Sequence, residues 1–455
     1  MTEHTLAPAD TQTGRRAKIL LAMLAITIGY VLNPLNGSLA VTAYPQMSHD
    51  FDVPYAHMSA MVMYFMAVTA AGQPLAGGIG DFLGRRNIFL VGISGFTLAS
   101  YMAAVADSFP ALLWWRVGQA ACSGVIMANG MALVAQVAPK AKIGTYVGFL
   151  NSMFVASTVV GFTLGGVLIQ AFDWRVLFEL NVGLGLLALV LALLFIPADK
   201  GGRAQFTALS FMGVPFLPQA LGLQAMVQGA AFWPYALTFV LAGVGVGIAV
   251  GRSRDAQQQF QQFFNWRFNL GCLILLFSIA LHFAIMFTLP AWAQAALGID
   301  SGVMGLYFSI IAGSQVLSSL VFGKVIDTWG DGYLRWVAGA AVALAVGIML
   351  YFLNPMSFAF ALGILGCGMA AAQLIAQRTS LLSSAEESRA LAMGVFSSYR
   401  SVGGLSGNAL AATVLAGYVT ITPMAGEQVL GWGFVLFVVP IVLALALLRP
   451  ERVSR

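Results

Sequence analysis

Long apolar runs, each about the length that crosses a bilayer, alternate with short polar joints along nearly the whole chain. A crossing helix needs about 20 mostly apolar residues. Laid along the sequence, that length predicts spans at about 17–43, 55–80, 87–106, 110–138, 142–171, 174–197, 206–229, 231–251, 268–293, 301–326, 333–353, 356–378, 390–418 and 428–448. The alternation of a membrane barrel is absent, and unpaired backbone is too costly in lipid, so the spans are expected to be helices. The pattern predicts an all-α polytopic membrane protein with fourteen transmembrane helices. The stretch 204–251 has no charged residue and is basic at both ends, so it crosses twice or not at all. Its length suits a tight hairpin turning near Gln228-Gly229, bent at Pro215, Pro218 and Pro234. The Gln-rich joint 252–267 reads as a polar linker.

Composition supports this picture. Hydrophobic types make up 59% of the 455 residues and charged types 9%, with a mean hydropathy of +0.86. A soluble domain carries roughly 25% charged residues, so a soluble enzyme is excluded. Collagen, coiled-coil and disordered classes fail too. The net charge of +5 is unevenly placed. With the N-terminus in the cytoplasm, 19 of the 22 Lys and Arg fall in the tails and even loops. Arg175 alone falls in an outer loop, and Arg116 and Arg400 fall within spans. The outer loops carry Asp50, Asp52, Asp107, Asp173, Asp300 and Glu427. Both termini are therefore expected in the cytoplasm, and the basic balance does not point to nucleic acid. Arg15, Arg16 and Lys18 precede an apolar run too long for a cleaved signal, so the first span is expected to stay. Cys122, Cys272 and Cys367 lie in apolar runs without CxxC spacing, which suggests neither a disulfide framework nor a metal site.

A short pattern recurs. Gly77, Asp81, Gly84, Arg85 and Arg86 follow the second span as G-x3-D-x2-G-R-R, and Gly323, Asp327 and Gly330 follow the tenth as G-x3-D-x2-G, 246 residues on. Matching turns at matching places predict two six-helix bundles, residues 17–197 and 268–448. The hairpin 206–251 and linker 252–267 lie between them, with tails at 1–16 and 449–455. Repeated halves put a substrate site near the midplane between them. The glycines allow close approach and a tight bend. The acid is expected to cap the next helix in the chain, and the arginines to anchor at lipid headgroups.

The run Gly77–Arg86 resembles the loop signature of the major facilitator superfamily. Arg116, Val117, Gly118 and Gln119 resemble its fourth-span RxxQ element. Gly161, Gly165 and Gly166 resemble its fifth-span antiporter glycine motif, with Phe162 where proline is usual. Trp174, Arg175, Phe178 and Asn181 resemble the WRxxFxxN of drug exporters. Arg400, Gly403, Gly404 and Gly407 resemble an element of the fourteen-span drug:proton antiporter family. Asn36 stands where that family often has Asp, and Phe82 where the loop signature has a basic residue. The resemblance implies two rocking bundles and proton-driven export.

Ionisable groups inside a span are costly, which makes a functional role the first hypothesis. Glu179 and Arg116 lie at similar depth, roughly 8–9 Å from the outer face, and could form an ion pair. Glu179 would then carry the coupled proton; a static pair, or a Glu reaching the outer surface, is the alternative. His282 is a further proton-coupling candidate, or a hydrogen-bonded interior residue. Cavity candidates are Asn33, Asn36, Arg116, Asn151, Gln315 and Arg400, although amides in spans also join helices. Asn129 and Gln373 carry the same ambiguity.

These readings converge on a secondary-active transporter. It is expected to exchange protons for small amphipathic compounds such as antibiotics or antiseptics, as a monomer in a bacterial plasma membrane. No Walker motif is present, so the proton gradient is the expected energy source, with no cofactor and no metal. A proton-linked metabolite or organic-anion transporter is the alternative. A membrane enzyme or a sensor is more remote, for want of matched catalytic groups or a soluble domain.

Overall fold

The computed structural model describes residues 9–53, 55–198, 201–202, 206–215, 217–218, 233–263, 265–297, 301–351, 354–420 and 438–448. The helices are α1 (Ala9–Asp50), α2 (Tyr55–Leu83), α3 (Arg85–Ala104), α4 (Phe109–Val137), α5 (Ile143–Ala171), α6 (Arg175–Phe195), α7 (Trp233–Arg252) and α8 (Arg254–Phe263). They continue as α9 (Trp266–Leu297), α10 (Ser301–Trp329), α11 (Gly332–Tyr351), α12 (Pro355–Ser383), α13 (Arg389–Thr420) and α14 (Val438–Leu447). No strand occurs among the described residues. Nine helical stretches there are long and apolar enough to cross a membrane. The turn at Gln228-Gly229, the outer acids Asp300 and Glu427, and the tail 449–455 lie outside the described residues.

Local sequence explains several helix starts. Ser108 accepts a hydrogen bond from the Ala111 amide at the head of α4, and Asn354 accepts one from Ser357 at the head of α12. Both carry a proline in the first turn, where a missing amide costs nothing. These caps are 246 residues apart, so the repeat extends beyond the glycine turn.

α1 packs on α5 and α6, α4 lies between α2 and α3, and α3 also lies against α6. In the other half, α12 packs against α9, α10 and α11, and α9 packs on α13. Two seams join the halves, α2 on α13 and α5 on α10. Residues from both halves enter one continuous apolar core.

Two expectations need correction, while α1 runs as one helix through Pro34 and Pro45. The predicted span 206–229 opens with a 3₁₀ turn, Ala208–Phe211, laid on α2, where Ser210 fills the space a Cβ on Gly78 would take. The Gln-rich joint is helical, as α8, because glutamine is a good helix former and neither Gly nor Pro interrupts it.

Candidate functional site: the contact between the halves

At one end of the molecule each half holds the other through an aspartate. Asp81, at the end of α2, accepts hydrogen bonds from the Ala390 and Leu391 amides at the start of α13, at 3.1 and 2.8 Å. Asp327, at the end of α10, accepts from the Gly144 and Thr145 amides at the start of α5, at 2.8 and 2.6 Å. The aspartates and their partners are each 246 residues apart. A carboxylate there meets free helix amides and the positive end of the helix dipole.

The two latches differ in what completes them. Asp81 pairs with Arg85 at 2.8 Å, and both side chains are buried. Arg85 also donates to the Glu386 carbonyl of the other half. Asp327 instead accepts from the Thr145 hydroxyl at 2.7 Å. The sequence reading therefore needs two changes. Asp81 caps a helix of the opposite half, not the next one in the chain. Arg85 is buried rather than at a headgroup, because the opposite half covers the turn. Arg86 donates to the Leu193 carbonyl at 2.9 Å and ties α3 to α6.

Glycines bring the backbones this close. Gly84 and Gly330 have φ of 104° and 77°, a region that side chains disfavour. The Ala390 carbonyl oxygen fills the place of a Cβ on Gly77, and the Gly144 oxygen lies 2.8 Å from that place on Gly323. Farther along the seams, Ser398 donates to the Ala70 carbonyl at 2.7 Å and Ser152 to the Val316 carbonyl at 3.0 Å. These serines are again 246 apart. Sequence reasoning missed them, although their spacing was available as a signal.

Deeper between the halves lies a mixed cluster. The Arg400 guanidinium of α13 stands 4.8 Å over the Phe154 ring of α5. Phe154 packs on Tyr30 of α1, with ring centres 5.8 Å apart, and Tyr30 reaches Gln377 of α12. Gln377 also contacts the Met131 sulfur at 3.4 Å. His282 is within electrostatic reach of Arg400, and its Nδ1 lies 3.4 Å from Gln315 Nε2. Arg400, His282 and Gln315 are thus brought together. Asn151, on α5 below Phe154, is buried with its Nδ2 unpartnered.

Other candidates lie elsewhere. Arg116 is buried inside the first half, bonded to Gln119 at 3.0 Å and stacked 4.8 Å from the Phe65 ring. Its expected ion pair with Glu179 does not form, because Glu179 is exposed on α6 while Leu177, Asn181 and Gly185 face inward. Asn36 accepts a hydrogen bond from Asn181 at 3.0 Å, joining α1 to α6. Asn33 donates to Ser123 of α4, and Asn129 donates to the Ala76 carbonyl of α2. Gln373 is buried on α12. Gly161 and Gly165 lie against Ser38 and Thr42 of α1, whereas Gly166 faces open space. Gly403 and Gly407 seat α13 on α9 in the same manner. No group of three metal-ligating side chains occurs among the described residues.

Known proteins share this architecture. The human organic anion transporter MFSD10 matches with a TM-score of 0.68 at 15% identity, over 95% of this chain and 99% of that one. Among relatives, the MFS-type transporter YvkA of Bacillus subtilis is 24% identical over 88% of this chain and 91% of its own. Multidrug resistance protein Stp of Mycobacterium tuberculosis is 25% identical over 89% and 77%. Riboflavin transporter RibZ of Clostridioides difficile is 25% identical over 39% of each chain. The family model of the Major Facilitator Superfamily matches residues 26–408, and with two latched halves around a polar interior, the chain belongs to that family of small-molecule transporters.

Proposed function

We propose that this protein is a proton-driven exporter of small amphipathic compounds that works by alternating access. The observation that supports this best is the reciprocal pair of latches, Asp81 on α13 and Asp327 on α5. Each is a contact between bodies that rocking would break, at one end only. The structure is then one state of a cycle, closed at the end that bears Arg85 and Arg86. The other state opens that end and closes the far one, so the interior cluster faces each side in turn. The positive-inside pattern makes the latched end cytoplasmic, with fourteen spans and both termini inside. Lipids surround a monomer in a bacterial plasma membrane. Resemblance to a multidrug resistance protein supports export as the direction.

Proton coupling is assigned to groups whose surroundings change when the seam opens. His282, beside Gln315 and within reach of Arg400, meets that criterion among the described residues through Arg400, which stands over Phe154 across the seam. Glu179 and Arg116 do not, since both belong to the first half and neither touches the seam. A second reading, proton-linked transport of a metabolite, is favoured by the riboflavin relative. Purified protein in liposomes under an imposed pH gradient distinguishes the readings across a compound panel. The proposal predicts gradient-dependent flux of several antibiotics or antiseptics, abolished by a protonophore. Flux of a single metabolite and of no toxic compound supports the second reading. No gradient-dependent flux of any compound refutes both.

A further inference from the structure

Among the described residues, Arg400 is the arginine that stands at mid-depth against the opposite half, over the Phe154 ring. It lies ten residues into α13 from the latch at Ala390, roughly 15 Å at a helical rise, near the middle of a core about 30 Å thick. It is 9% exposed, and its Nη2 is buried without a hydrogen-bond partner. Among the described residues no carboxylate pairs with it. Of the 17 acidic residues only Glu179 falls inside a predicted span, and that residue is exposed on α6. An unpaired buried cation is costly, and the Phe154 ring offsets only part of that cost. The groups shown around it carry no carboxylate: Tyr30 and His282, with Gln377 beside Tyr30 and Gln315 beside His282.

We propose that Arg400 is the charge-selecting group of the central site and that the site takes organic anions bearing one oxyanion, a carboxylate or sulfonate, on an aromatic or apolar body. The guanidinium presents a planar fork that matches such an oxyanion through two parallel hydrogen bonds. Phe154 and Tyr30 supply an aromatic wall for the body of the ligand, and Gln315 and Gln377 supply amides at its edge. When the seam opens, the substrate supplies the counter-charge that the protein lacks. Substrate in place also favours closure around it, because an occupied Arg400 is less costly to bury than an empty one. Cationic compounds are disfavoured by the same charge.

This inference rests on the transporter reading and narrows its substrate class. Its test uses two probes with one aromatic body and opposite charge, naphthalenesulfonate and naphthyltrimethylammonium. Their flux is measured in proteoliposomes holding the full chain, beside the compound panel. Wild type is expected to carry the sulfonate in preference to the ammonium. Arg400→Gln is expected to lower the sulfonate-to-ammonium flux ratio about tenfold or more, and Arg400→Lys to retain most of the preference. Should Arg400→Gln not purify as a single species, Arg400→Met fills the same volume without charge and carries the same expectation. An unchanged ratio in the neutral variant, or a wild-type preference for the ammonium, overturns the inference. So does a wild type that carries panel compounds but not the sulfonate, and in each of these cases the transporter reading stands. A wild type that carries no compound at all refutes that reading, and the inference falls with it.

Discussion

Asp81 and Asp327 each place a carboxylate on two free amides of a helix in the opposite half. Hydrogen bonds to a charged group contribute about 1.5–3 kcal/mol each, so losing the charge is enough to shift a two-state equilibrium. Asp81→Asn is expected to populate the open state about tenfold more. The modification rate of a cysteine placed at buried Ser319, on the α5–α10 seam, should rise with it when a water-soluble thiol reagent is added. Asp327→Asn is expected to act in the same direction but more weakly, because no buried ion pair is lost there. Glu179→Gln, on an exposed face without a partner, is expected to leave gradient-driven flux within about twofold of wild type. Asp81 was legible in the sequence as the acid of a helix-end turn. Its partner was not, because the bonded amides are 309 and 310 residues away and nothing local points to them. Arg116 and Glu179 were paired by depth alone. Depth along two helices says nothing of azimuth, and Glu179 stands about 200° around α6 from inward-facing Leu177.

Helices meet here through two kinds of glycine contact, and these predict opposite failures. Gly148 lies against the Ser319 backbone and Gly394 against the Gln73 backbone, both on seams between the halves. Leucine at Gly148 or Gly394 is expected to leave each half folded and to prevent latching. The variants should purify as single species with near-wild-type unfolding temperatures, yet show fast thiol modification at Ser319→Cys and little flux. Gly161 of α5 and Gly407 of α13 pack inside the halves, against the Leu35 carbonyl of α1 and the Ala280 carbonyl of α9. Leucine there is expected to lower the unfolding temperature and the yield, because the intruding side chain meets backbone within a packed bundle. Most helices were legible from apolar length, since lipid demands about 20 residues per crossing. The start of the span expected at 206 was misplaced because apolar length cannot distinguish a helix in lipid from a turn covering α2. The α8 helix was missed because its glutamine-rich composition reads as a joint, although Ala256, Phe260 and Phe263 recur at helical spacing and its glutamines favour helix.

Over the whole molecule, a repeat of 246 residues unites helix caps, tight turns, seam serines and latches. The repeated turn was visible from glycine and aspartate spacing. The reciprocity of the latches was not, because spacing reveals that two halves are alike but not how they face each other. A two-fold arrangement lets each half be both cap and capped, so one rocking motion breaks both latches together. The central claim is that this motion carries the transport cycle, and pulsed electron spin resonance between labelled cysteines measures it most directly. The three native cysteines would first be replaced. One label pair joins exposed Asn87 and Glu387 across the latched end, and another joins exposed Asp107 and Asn354 across the far end. Under a pH gradient or with substrate, the account predicts that the first distance lengthens as the second shortens. Asp81→Asn should shift the same two populations without substrate. Distances that stay fixed at both ends under every condition, or that lengthen together, would contradict it.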